Sequence, residues 1–190
     1  MKSRFALAAI LAAASGAALA HPGHETAGFL SGFAHPLGGL DHLLAMLAVG
    51  LYAARQPGAA RWMLPAGFVL AMLAGAGLGA LGVALPAVEA GIAASVLVFG
   101  LLIAFAARLP LAASLPLVAA FALFHGHAHH AEMGSASLAA YALGFALATM
   151  LLHGTGYLIA RWMPETPVAQ GIRRALGALV AGTGAVLLGV

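Results

Sequence analysis

From Leu37 onward the chain is a succession of six apolar runs separated by short loops: Leu37–Ala54, Trp62–Gly82, Ala87–Ala107, Leu109–His127, Ser137–Ala160 and Gly171–Val190. Each is close to the ~20 residues a helix needs to cross the hydrocarbon core of a bilayer. Only 7% of the 190 residues are charged and 63% are hydrophobic, against roughly 25% charged in a soluble domain. These runs predict an all-α, polytopic membrane helix bundle of about six transmembrane helices in contact with the lipid bilayer. One transmembrane domain, residues 21–190, accounts for everything after the N-terminal segment.

Residues 1–20 read as a signal peptide. Lys2 and Arg4 form the charged start, Phe5–Ala14 the apolar centre and Ala18-Leu-Ala20 the small-residue cleavage site. The remaining arginines fall in alternate loops: Arg55 and Arg61, then Arg108, then Arg161, Arg173 and Arg174. The loops around Leu81–Glu89 and Ala128–Ser135 carry neither Lys nor Arg. Because positive loops stay cytoplasmic, this pattern predicts a periplasmic mature N-terminus and a multi-pass protein of the bacterial inner membrane. Cleavage of a signal peptide requires the same orientation.

Beyond Arg4 the six arginines face five acidic residues, so nucleic-acid binding has no electrostatic footprint. Cysteine is absent, which excludes disulfides and thiolate metal sites. No lysine follows Lys2 and no glycine-rich phosphate loop is present, which argues against ATP-driven transport within the chain.

The unusual figure is nine histidines. Ionisable side chains at membrane depth are expensive and mark functional sites. A first cluster, His35-Pro-Leu-Gly-Gly-Leu-Asp-His42, opens the first apolar run. In a continuous helix His35 and His42, two turns apart, share a face, while Pro36 and Gly38-Gly39 weaken such a helix just inside it. Thr26–Ala34, before it, reads as an interfacial turn or a re-entrant lead. A second cluster closes the fourth run, where His125, His129 and Glu132 fall on one helical face and His127 and His130 on another. The arginine pattern puts both clusters at the same membrane side, so they can meet.

His153 stands eight residues before Arg161, about 12 Å deeper. It is either a second station on an inward path or a buried imidazole bonded to a carbonyl or to Thr155. His21 and His24, with Glu25, form a polar tail or a metal-gathering segment. Met46, Met63, Met72 and Met150 read as apolar filler. The glycines Gly75, Gly77, Gly79, Gly177, Gly182 and Gly184 read as close-packing positions.

Imidazole and carboxylate without thiolate suit Ni²⁺, Co²⁺, Zn²⁺ or Cu²⁺ better than Mg²⁺ or Ca²⁺, and chemistry alone does not choose among the four. A permease for such an ion is the leading reading. A zinc-dependent intramembrane hydrolase and a haem protein with paired histidines are the alternatives.

The motif His35-Pro-x-x-Gly-x-Asp-His42, with Phe124-His-Gly-x-Ala-His129 and Glu132, resembles the HupE/UreJ family of small bacterial membrane proteins, over essentially the whole chain. The resemblance implies a nickel permease rather than an enzyme, with Ni²⁺ as the transported ion and a functional link to hydrogenase or urease maturation. It carries the metal role onto His35, Asp41, His42, His125, His129 and Glu132. His127 joins this set from the residue reading, with His21, His24, His130 and His153 as weaker candidates. The chain departs from the family pattern at His130, where glycine is common.

Overall fold

The computed structural model describes residues 24–189. The expected signal peptide and His21 lie outside the described residues, and His24 is placed by its backbone alone. Seven helices and no strand occur among the described residues: α1 (His24–Gly38), α2 (Leu40–Ala53), α3 (Ala60–Ala80), α4 (Val88–Ala104), α5 (Leu111–Glu132), α6 (Leu138–Trp162) and α7 (Pro167–Leu188).

Helices α3, α5, α6 and α7, of 21 to 25 residues, are long and apolar enough to span a bilayer. The broken pair α1–α2 qualifies as one further span. Helix α4, with 17 apolar residues, sits at the short end of the range for a crossing, about 17–25 residues. The six expected apolar runs therefore all appear as helices.

The segment before the first run is a longer element than the interfacial half-turn expected there, and its bend is compatible with a re-entrant lead. Thr26–Ala34 is part of a full helix, α1, which bends by 82° into α2. The break falls at Gly39, which caps α2 in extended backbone (φ −102°, ψ 125°). A Cβ at Gly39 would lie 2.8 Å from Asp41 Oδ1 and 3.5 Å from His42 Nδ1, so the two side chains fold back over the missing one. His35 and His42 consequently do not share a face of one helix; they meet across a corner.

Apolarity alone does not drive helices together in lipid, so close backbone approach has to. It is built here from reciprocal glycines. A Cβ at Gly32 (α1) would lie 2.1 Å from the Tyr141 carbonyl oxygen, and one at Gly144 (α6) 2.1 Å from that of Phe29. Gly50 and Gly156 repeat the arrangement between α2 and α6, Gly75 and Gly126 between α3 and α5, and Gly100, Gly177 and Gly184 between α4 and α7. Gly77 and Gly182 have no such neighbour, and Gly79 accommodates the His130 ring.

Helix α2 is the buried centre: His42, Ala45, Met46, Ala48, Val49, Gly50, Tyr52 and Ala53 are all buried. Met46 and Met72 fill the core, whereas Met63 and Met150 lie on the outer surface. A bundle in lipid is apolar on both its inside and its outside, so hydropathy does not separate the two.

Candidate metal centre

Helix α5 extends through Glu132, so the whole second histidine cluster is helical. Its 3.6-residue period turns His125 and His129 into the bundle, where both are fully buried. The α1–α2 corner brings His35 and His42 against the same face. His35, His42 and His129, from three helices, each offer one ligand nitrogen within 4.8 Å of the others. Ring centroids are 4.9 Å apart for His35–His129 and for His42–His129, and 5.7 Å for His35–His42.

Neighbouring acceptors set the tautomers. Asp41 Oδ1 accepts the His42 backbone N–H at 2.7 Å and lies 3.0 Å from His42 Nδ1. An ionised carboxylate only accepts, so Nδ1 carries the proton and Nε2 keeps its lone pair. That Nε2 is buried and has no hydrogen-bond partner among the described residues. On the other side, Glu132 Oε2 lies 2.6 Å from His35 Nε2, which leaves Nδ1 of His35 as its lone-pair nitrogen. Both carboxylates stand behind a histidine, the placement that orients a metal-binding imidazole and raises its basicity.

His125 lies one ring below, its centroid 4.8 Å from that of His42. The Ser95 hydroxyl donates to the Ile92 carbonyl at 2.6 Å, so its oxygen accepts from His125 Nε2 at 2.9 Å. Nδ1 of His125 is left as a buried, unpartnered acceptor among the described residues. Both nitrogens of His129, one donor and one acceptor in the neutral ring, are likewise buried without a partner among the described residues, and the ring stacks on Phe145 at 4.5 Å and 11°. Unpaired buried polar atoms are costly, and a group of imidazole lone pairs facing one another is the environment a borderline divalent cation relieves.

The remaining histidines are dispersed. His127 Nε2 donates to the Val83 carbonyl at 3.0 Å, away from the cluster. His130 packs over Gly79 of α3. His153 is buried beneath the cluster, separated from His125 by Phe68, whose ring centroid is 5.5 Å from His125 and 5.2 Å from His153. Neither His153 nitrogen has a partner among the described residues, and Thr155 bonds the Leu151 carbonyl instead.

Ser95, Phe68, Phe145 and Tyr141 shape the site without having been singled out in the sequence. Ser95 was the detectable one, as the single hydroxyl side chain within apolar α4.

Imidazoles gathered from α1, α2 and α5, half-buried at His35 and buried at His42, His125 and His129, give an apolar multi-pass bundle a polar cluster near one end. The family profile described as HupE / UreJ protein matches residues 8–187. Protein HupE of Rhizobium leguminosarum bv. viciae is 43% identical over 170 residues, covering 89% of this chain and 88% of that protein. The chain belongs to the HupE/UreJ family. No solved structure matches the chain.

Proposed function

We propose that this protein is a secondary permease of the bacterial inner membrane that carries a divalent transition-metal ion, Ni²⁺ first among them, from the periplasm to the cytoplasm. The observation that carries the reading is the meeting of His35, His42 and His129 within 4.8 Å. Nitrogens bound at about 2.1 Å around a tetrahedral ion lie about 3.4 Å apart, so modest ring rotations would close the group on a cation. His125 supplies a further lone pair on the inward side. Asp41 and Glu132 act behind His42 and His35, and His153 marks the next polar station beyond Phe68. Imidazole must be deprotonated to bind metal, which couples uptake to protons.

Nickel as the cargo, and supply of a hydrogenase or urease as its destination, rest on family membership and on the name HupE borne by the relative. Uptake of Ni²⁺, Co²⁺, Zn²⁺ and Cu²⁺ into proteoliposomes, compared at equal protein, tests the choice of ion. Ni²⁺ accumulation above the other three supports it; equal accumulation of all four, or none, refutes it.

A further inference from the structure

At the opposite end of the bundle from the histidines lies a cavity of about 330 Å³ between α2, α4, α6 and α7. Four arginines line it: Arg55 after α2, Arg108 after α4, and Arg173 and Arg174 in the second turn of α7. Its remaining wall is largely apolar, including Leu102 and Leu176. Glu165 is the carboxylate in contact with this group, paired with Arg55 and 3.6 Å from Arg173. The acids Asp41, Glu89 and Glu132 begin or end helices at the histidine end.

Arg173 is the decisive residue. Its side chain is 9% exposed and its Nη2 donates to the Pro164 carbonyl at 2.7 Å. Its Nε is buried with no hydrogen-bond partner among the described residues. A guanidinium cannot discard its proton, so a buried N–H beside an arginine-lined cavity calls for an acceptor. The N-terminal turns of α7 add the positive end of a helix dipole.

We infer that this cavity binds a phosphate group, the chemistry shared by an anionic phospholipid headgroup and free inorganic phosphate, with Arg173 as its buried anchor. Arginine forks match phosphate geometry, and basic pockets between membrane helices on the cytoplasmic side hold anionic headgroups. The volume is at the small end of ligand sites, about 300–1,000 Å³, which suits a headgroup and the first part of its chains.

The full chain, delipidated in detergent, is titrated with phosphatidylglycerol, with phosphatidylcholine of the same acyl chains, and with inorganic phosphate. Binding is read by native mass spectrometry and by the shift in the unfolding midpoint. Phosphatidylglycerol is expected to bind at least about tenfold more tightly than phosphatidylcholine, and the exposed pair Arg108→Gln with Arg174→Gln to lose roughly tenfold of that, one charge-assisted bond or more. Arg173→Gln is expected to abolish it; should that variant not fold, the exposed pair decides. Stabilisation by inorganic phosphate, lost in the same variants, supports the same site with a free anion as ligand. Equal binding of the two lipids without a phosphate effect, or binding indifferent to the substitutions, overturns the inference.

Discussion

One oxygen of Asp41 serves both the backbone and the ring of His42: Oδ1 accepts the amide at 2.7 Å and lies 3.0 Å from Nδ1. The side chain that seats the first turn of α2 therefore also fixes which nitrogen of His42 faces the cluster. Asp41→Asn keeps the volume but replaces the carboxylate, and its amide can turn an N–H toward Nδ1. The expected loss is about 10–100-fold in nickel affinity, the usual effect of removing an orienting carboxylate. Equilibrium binding of radioactive nickel to the purified protein measures it; an unchanged affinity would remove Asp41 from the site.

Ser95 holds His125 through a single buried hydrogen bond. Ser95→Ala leaves Nε2–H of His125 unsatisfied in an apolar wall, at a cost of about 1–3 kcal/mol. Thermal unfolding in detergent is expected to fall accordingly, with nickel uptake falling beyond the loss of folded protein. Restoration by Ser95→Thr, which returns the hydroxyl, separates the hydrogen bond from packing.

The glycines sort into two groups with opposite expectations. A Cβ at Gly126 would lie 1.8 Å from the Met72 carbonyl oxygen, so Gly126→Ala forces α3 and α5 apart and is expected to cost about 1–3 kcal/mol. Gly77→Ala on the same helix pair meets nothing within 4 Å and is expected to be neutral or to stabilise by up to about 1 kcal/mol through helix propensity. Unfolding midpoints of the two variants check both signs.

At the arginine-bearing end, the Arg55 guanidinium holds the exposed Glu165 carboxyl below its ordinary value of 4.5. A depressed folded-state value contributes stability above the unfolded value, and that contribution fades as pH falls through the folded one. The Arg55–Glu165 contact is therefore expected to be intact from neutral pH down to the unfolded value and to weaken below it. Because the pair is exposed its contribution is small. Midpoints of wild type and Glu165→Gln should differ most at neutral pH and converge in acid; a difference that grows in acid would contradict the assignment.

The helices were legible because lipid imposes one rule, an apolar stretch of spanning length, and each of the six runs met it. The facing of His125 and His129 was legible from their spacing of four. The α1–α2 corner was not. Pro36 and Gly38-Gly39 marked a weak point, but the 82° turn goes with the close packing of α1 on α6 at Gly32 and Gly144, a contact between distant parts of the chain. That turn is what separates His35 from the helix of His42 and lets three helices contribute. Helix α7 starts four residues before the apolar run that begins at Gly171, and Thr166-Pro167 is the helix-opening signal there: the Thr166 hydroxyl accepts the Ala169 amide at 3.2 Å and Pro167 takes the first position. His127, grouped with the other imidazoles by proximity in sequence, finds the Val83 carbonyl in the loop between α3 and α4, a partner that its own neighbours in sequence do not reveal.

The central claim is that the imidazoles of α1, α2 and α5 form one site through which the ion passes. Nickel uptake into proteoliposomes, with His42→Ala and His129→Ala measured singly and together at matched protein, tests it most directly. Residues acting as a unit are non-additive, so each single variant should abolish most uptake and the double variant should be little worse than either. Uptake equal to wild type in both single variants, or independent losses that multiply in the double, would contradict a shared site.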